Sequence, residues 1–392
     1  MALRISSPIS IFIDENIPLL AEALAPSLPS HIRIHRFHGR SICRQDVQNA
    51  HGTMLCVRST TRVNADLLEK TPVRFVGTAT SGTEHIDTEY LRASGREFYH
   101  AGGSNAHSVA EYVLFALLHW EKQTSEPLQD KTIGILGYGH IGRRVAEMAY
   151  KLGLRVAVCD PVLRSAGGEF APYCREVSFD ELCSTSEIIT NHVPFVQSGA
   201  HPTVGIFDAA ALKKLLPNSL FIHASRGGIV QEEALWEMVQ ERNIATVLDV
   251  WEQEPRIHAG LARHSLLATP HIAGYSYDGK IHGSRMIARA CGEFLQKSIA
   301  PSIDADWSVF ERALVHPHLP VLSLSNHATL YAALQQSRAL EQDTTQLRAT
   351  LNGGATTPEA AFDELRKQYP VRREISRLFC QANAGDDAYT KM

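Results

Sequence analysis

A glycine fingerprint placed at mid-chain constrains this sequence more than any other feature. Gly137-Tyr138-Gly139-His140-Ile141-Gly142 directly follows the apolar run Thr132–Leu136 and opens a predicted helix over Ile141–Lys151. The first glycine permits a tight turn, the second lets a pyrophosphate approach the backbone, and the third allows helix and strand to pack closely. The helix N-terminus adds free amides and a favourable dipole for an anion. Asp160 ends the next predicted strand, where an acid can hydrogen-bond the adenosine ribose and repel a 2′-phosphate, so NAD is expected over NADP. A bare turn of this kind can also serve packing alone, with Asp160 merely starting the turn into Pro161. Strand, fingerprint, helix and acid in register favour the dinucleotide. Because the fingerprint comes so late, another folded unit must occupy residues 1 to about 105.

The 392-residue length calls for two or three domains. A net charge of −4 and 20% charged residues argue against nucleic acid as the main partner. The seven cysteines (Cys43, Cys56, Cys159, Cys174, Cys183, Cys291 and Cys380) are odd in number and never spaced C-x-x-C. They read as buried free thiols in a reducing compartment, with no metal site expected. No stretch approaches the roughly 20 apolar residues of a membrane span. A cytoplasmic protein is the expectation.

Short apolar runs at Ile9–Ile13, Ile32–Phe37, Thr53–Val57, Arg74–Thr78 and Glu97–His100 alternate with helix-like segments and predict a parallel sheet without a glycine-rich loop. A long helix follows Ser104-Asn105, with Val109, Tyr112, Val113, Ala116, Leu117 and Trp120 on one buried face. The second series adds strands at Arg155–Cys159, Glu187–Asn191, Leu220–His223, Thr246–Val250 and Leu266–Ala268. A helix from Ile281 to about Leu295 comes next. Beyond residue 300, Asn326–Leu351 and Glu359–Tyr369 read as helices with Gly353-Gly354 between them.

Three islands behind the fingerprint carry chemistry. Arg226 follows the strand Leu220–His223 and should stand at the carboxyl end of the sheet, where open α/β sheets bind ligands. Its planar fork can hold a carboxylate bidentately. His271, after another short strand, suits proton transfer near neutral pH, as oxidation of a secondary alcohol requires. Glu254 follows the strand between them and can orient the ring and favour its charged form. Each is unremarkable alone: a lone arginine is commonly a surface residue, and this chain has nineteen histidines.

These islands, with His192-Val193-Pro194, Asp249-Val250-Trp251-Glu252-x-Glu254-Pro255 and Pro270-His271-Ile272-Ala273-Gly274, resemble the D-isomer-specific 2-hydroxyacid dehydrogenases. Both chain ends narrow the resemblance to the erythronate-4-phosphate dehydrogenase branch of vitamin B6 synthesis. The motifs there are Asp14-Glu15-Asn16-x-Pro18, Val57-Arg58-Ser59-x-Thr61-x-Val63-Asn64, Phe75-Val76-Gly77-Thr78-Ala79-Thr80-x-Gly82-Thr83 and Phe362-Asp363-x-Leu365-Arg366-Lys367-x-Tyr369-x-x-Arg372-Arg373-Glu374. The resemblance implies a Rossmann NAD-binding domain (105–280) inserted in a flavodoxin-like substrate domain (1–104 and 281–298). A small α+β dimerisation domain (299–392) would follow, giving a homodimer with substrate in the cleft between the first two domains. It implies oxidation of 4-phospho-D-erythronate to the 2-oxo acid, within pyridoxal phosphate biosynthesis. Arg226 would bind the carboxylate, His271 would exchange the proton and Glu254 would support it. Gly137, Gly139, His140, Ile141, Gly142, Asp160, Val193, Asp249 and Gly274 would line the NAD site. Ser59, Thr80 and Tyr275 would contact substrate, with Arg58 meeting its phosphate. The Arg-Ser pair is also similar to phosphoglycerate dehydrogenases, so another 2-hydroxyacid dehydrogenase remains an alternative. So does an NAD-sensing binding protein on the same scaffold. Gly102-Gly103, Val193, Gln231 and Ile375 depart from the pattern.

Overall fold

A computed structural model describes residues 9–298, 301–315, 326–352 and 357–375. The chain forms two compact units, Met1–Asn105 with Ser276–Leu319, and Ala106–Tyr275 with Pro320–Met392.

The first unit holds five parallel strands, β1 (Ile9–Asp14), β2 (Ile32–Phe37), β3 (Gly52–Val57), β4 (Phe75–Thr78) and β5 (Glu97–His100), in the order β2-β1-β3-β4-β5. This is the flavodoxin-like order. Strands β1, β3 and β4 are buried along their whole length, as continuous apolar runs must be when helices cover both sheet faces. The helix Tyr277–Ser298 returns to this unit, where Ile281, Ile287, Phe294 and Leu295 join the core of Ile11, Met54 and Phe75. Ile303 and Phe310 of the following residues enter the same core.

The second unit holds seven parallel strands: β6 (Thr132–Leu136), β7 (Arg155–Cys159), β8 (Cys174–Glu176), β9 (Ile188–Asn191), β10 (Leu220–His223), β11 (Ala245–Leu248) and β12 (Leu267–Ala268). Their order, β12-β11-β10-β9-β6-β7-β8, reverses direction between β6 and β9, the doubly wound Rossmann arrangement whose crevice receives dinucleotides. Strand β8 escaped the sequence reading. It is three residues long with exposed Arg175 and Glu176, the charged character that protects a sheet edge.

The helix Ala106–Thr124 departs from the one-faced pattern, being buried continuously from Val109 to Trp120, Glu111 and His119 included. The C-terminal segment supplies the second cover. Leu330, Tyr331 and Leu334 join its core, and His119 Nδ1 pairs with the Tyr331 hydroxyl at 2.6 Å. The expected single helix over Asn326–Leu351 is two helices, His327–Ser337 and Leu340–Thr350, interrupted by an extended Arg338 (φ −148°). The guanidinium of Arg338, at this break, finds its acceptors outside both helices, at Ser108 O and Ala273 O. Thr344 on the second of these helices accepts from the amide of Ala268 at 3.1 Å, so the segment covers the β12 edge. A helix at Pro358–Lys367 completes the described chain. The strand part of the expected α+β segment is not found among the described residues, and Gly353-Gly354 and Cys380 lie outside them. The six described cysteines are free; Cys43, against expectation, is exposed. No helix among the described residues is long and apolar enough to cross a membrane.

Candidate active site

The fingerprint folds as its glycines require. Gly137 adopts φ +89° and donates to Cys159 O at 2.9 Å, joining the ends of β6 and β7. A Cβ on Gly142 would stand 2.0 Å from the Gly137 carbonyl oxygen, whereas one on Gly139 would meet nothing within 4 Å. Helix and strand are therefore pressed together at the third glycine and open at the second. The helix His140–Lys151 has no side-chain cap at Gly139, which leaves its first amides to an anion. Val193 is half-buried beside Gly137. Asp160 accepts from Tyr138 N at 2.7 Å and from Leu163 N at 2.8 Å. Its carboxylate both fixes the loop and caps the next short helix, and each oxygen retains a lone pair for a ribose hydroxyl.

The catalytic candidates stand after three adjacent strands, β10, β11 and β12. Arg226 follows β10, is half-buried, and donates from Nη1 to its neighbour's Ser225 O at 2.7 Å. A Cβ on Gly227 would lie 2.0 Å from the Trp251 carbonyl oxygen, so glycine lets the loop after β10 touch the one after β11. His271 donates from Nδ1 to Glu254 Oε2 at 2.8 Å, while Glu254 Oε1 accepts from Trp251 N at 3.0 Å. Burial alone would raise the Glu254 carboxyl. The hydrogen bond and charge of His271, with the Trp251 amide and Arg366, bring it below the usual range. With Nδ1 committed to glutamate, Nε2 is the ring nitrogen left to exchange a proton.

Two other histidines lie close by and are unsuited to that task. His223 is buried and His192 half-buried, and desolvation pushes both down to about 3, so they stay neutral. His223 Nδ1 is occupied by Asn191 Nδ2 at 3.0 Å.

His271 adopts φ +56°, a left-handed backbone that costs an L-residue about 1–2 kcal/mol. Asp249 holds it there. This fully buried carboxylate accepts from Thr269 Oγ1 at 2.7 Å, Ile272 N at 2.7 Å and Ala273 N at 2.9 Å. The His271 amide donates to the Asp249 carbonyl at 2.8 Å. Asp249, which the sequence places at the cofactor, also organises the turn bearing His271. Gly274 and Tyr275 end that turn, both half-buried, with the Tyr275 ring edge-on to Tyr369 at 5.9 Å.

In the first unit, half-buried Arg58 donates to Asn16 O at 3.4 Å, and Ser59 is exposed. Asn16 is itself fixed by Asp14, which accepts its amide at 2.9 Å. Thr80 Oγ1 donates to Gly82 O at 2.9 Å and pairs with Thr78 at 2.8 Å. Lys280, on the returning helix, was missed by sequence reasoning. Burial and then the positive charge of Arg58 lower its ammonium below the usual lysine range.

The D-isomer specific 2-hydroxyacid dehydrogenase NAD-binding domain profile matches residues 112–273, and a domain of unknown function matches residues 316–391. Over 389 residues the chain is 38% identical to the erythronate-4-phosphate dehydrogenase of Pseudomonas syringae pv. syringae, covering 97% of each chain. It is 39% identical over 381 residues to that of Marinobacter nauticus, covering 95% of this chain and 94% of that one. The chain belongs to the erythronate-4-phosphate dehydrogenase family. Among solved structures it is similar to an NAD+-bound 3-phosphoglycerate dehydrogenase from Entamoeba histolytica (TM-score 0.60, 21% identity, 76% of this chain and 99% of that one). A glyoxylate reductase from Paecilomyes thermophila also shares the fold (TM-score 0.60, 18% identity, 77% and 99%).

NAD is the cofactor of this family's binding domain, and the residues present fit it: an open Gly139, uncapped helix amides and an acid at the end of β7. The family profile ends at residue 273 and so includes Arg226, Glu254 and His271. Asp249's three acceptor bonds and the Lys280 charge come from tertiary contacts, and no local motif announces them.

Proposed function

We propose that the chain oxidises 4-phospho-D-erythronate at C2 to 3-hydroxy-2-oxo-4-phosphooxybutanoate, a step in pyridoxal phosphate synthesis. The 2.8 Å pair of His271 and Glu254, next in sheet order to Arg226, carries the reaction reading. The full-length likeness to relatives named for this activity supports the substrate.

Arg226 grips the C1 carboxylate with its guanidinium fork and draws electron density from C2 as the carbonyl forms. His271 Nε2 accepts the C2 hydroxyl proton while the C–H bond breaks, and Glu254 stabilises the resulting imidazolium. The hydride leaving C2 would be taken up by NAD when it is bound at the Gly137–Gly142 loop. We assign Ser59, Thr80 and Tyr275 to substrate contacts. Arg58 takes the phosphate, with Lys280 adding a second positive charge. Asp160, Gly137, Gly139, His140, Ile141, Gly142, Val193, Asp249 and Gly274 are assigned to NAD.

We place the protein in the cytoplasm as a homodimer joined through its C-terminal segment, where Val371 is 77% exposed. Sedimentation equilibrium checks the dimer. NADH formation with 4-phospho-D-erythronate, 3-phosphoglycerate and unphosphorylated D-2-hydroxy acids tests the substrate. The phosphoerythronate should give the highest kcat/KM; a higher value for phosphoglycerate refutes the assignment.

A further inference from the structure

One buried arginine of the C-terminal segment, Arg338, reaches the turn that carries His271, and a second, Arg372, bonds the helix beside it. Arg338 is 2% exposed and sits in the break between its two helices. Its Nη2 donates to Ala273 O at 3.0 Å and its Nη1 to Ser108 O at 2.8 Å. One guanidinium thereby ties the turn 269–275 to the first turn of helix Ala106–Thr124. The Ser108 hydroxyl donates to the same Ala273 carbonyl at 2.6 Å and accepts from Arg372, whose other nitrogen meets Glu111 Oε2 at 3.1 Å. Arg338 also lies over the Tyr112 ring at 5.4 Å. The Tyr112 hydroxyl donates to Thr269 at 2.7 Å, and Thr269 donates onward to Asp249. The turn is thus held at the amides of His271, Ile272 and Ala273 by Asp249, and at the Ala273 carbonyl by Arg338 and Ser108.

Such an arrangement is poorly explained by packing. Burial, and then Arg372, pushes the Arg338 guanidinium down to about 10, so it remains charged while its guanidinium donates to main-chain carbonyls. An apolar side chain would fill the space without that desolvation cost. What the guanidinium adds is direction: two fixed donors aimed at two carbonyls. The left-handed backbone of His271 is the kind of conformation that persists only where its surroundings over-determine it.

We propose that Arg338 is a positioning residue for His271, making the C-terminal segment part of the catalytic apparatus. The inference rests on the reading of His271 as proton acceptor. Displacing a catalytic group by about 1 Å costs on the order of 10²-fold in rate, so loosening this turn should be visible in kcat.

The test compares full-length wild type with Arg338→Met, Arg338→Lys and Ser108→Ala. Each is assayed with NAD and 4-phospho-D-erythronate, and rates are expressed per site able to bind NADH. Arg338→Met should lower kcat by about 10²-fold with NADH affinity unchanged, and Arg338→Lys should recover part of the loss. The acid limb of the pH profile should move to lower pH in Arg338→Met as the His271–Glu254 bond loosens. The charged and titratable groups facing that pair are Asp249, His223 and Arg366. A lower melting temperature with wild-type kcat per competent site and an unmoved pH profile would make Arg338 merely structural and overturn the proposal. Should Arg338→Met fail to fold, Ser108→Ala decides, because it removes one of the two donors to Ala273 while keeping Arg338. A several-fold loss of kcat supports positioning; unchanged kcat overturns it. Wild type inactive with every hydroxy acid would overturn the underlying functional reading, and this inference with it.

Discussion

Replacing Glu254 with glutamine removes one charge from the catalytic pair while preserving its shape. A full ion pair with charge centres about 4 Å apart is worth ~4 kcal/mol at an effective dielectric near 20. His271 and Glu254 are 29% and 20% exposed, so solvent screening reduces the net effect to about 1.5–3 kcal/mol. Glutamine adds a second fault. Glu254 accepts from both His271 Nδ1 and Trp251 N, and an amide has only one oxygen, so one donor loses its acceptor. At a factor of ten per 1.36 kcal/mol, kcat for 4-phospho-D-erythronate should fall by about 10–100-fold. The imidazolium loses the same support, so the acid limb of kcat/KM should move to lower pH. Because the native carboxyl lies below its usual value, its contribution to stability is present above the unfolded carboxyl pKa and vanishes as pH falls through the folded one. Wild type and variant should therefore converge in stability in acid. The assay is NADH formation across the acid and neutral range. An unchanged rate with an unmoved acid limb would refute the pairing argument.

Gly142→Ala puts a methyl group against the Gly137 carbonyl, and NADH fluorescence titration should show affinity weakened by at least about tenfold, an overpacking cost of about 1–3 kcal/mol. Lys280→Met should raise KM for the phosphorylated substrate by about 10–100-fold, the loss of one charge-assisted contact worth about 1.5–3 kcal/mol, while leaving KM for NAD unchanged. Asp249→Asn leaves at least one buried donor unpaired and should cost about 1–3 kcal/mol in urea denaturation, with kcat falling alongside. Glu232 supplies a pH prediction of opposite sign to Glu254. Burial, then the charges of Glu252 and Glu254, push its carboxyl from the usual 4.5 up to about 7, so the folded state holds a proton that the unfolded state releases. Stability should decline as pH rises between those values, and Glu232→Gln should gain about 2–3 kcal/mol at mildly alkaline pH and little in acid, as read by denaturant midpoints.

The parts of this molecule legible in its sequence are those whose cause is local. Continuous apolar runs marked β1, β3 and β4, because a strand covered on both faces needs no polar alternation. The fingerprint was readable because a 2.0 Å approach at Gly142 tolerates no side chain. Arg226, Glu254 and His271 were readable as polar residues each following an apolar strand. What escaped depends on partners distant in the chain. Helical periodicity runs through Arg338, and nothing local signals the break or the acceptors at Ser108 and Ala273. Nothing near Asp249 signals that it will bond the amides of Ile272 and Ala273, and nothing near Lys280 signals Arg58. Strand β8 was lost because three residues with two exposed charges carry no periodicity.

The most direct test of the central claim is single-turnover NADH formation from 4-phospho-D-erythronate by wild type and His271→Ala. The account predicts a prompt turnover in wild type and a loss of about 10²–10⁴-fold in the variant, with NADH affinity unchanged. Near-wild-type turnover by His271→Ala would contradict it.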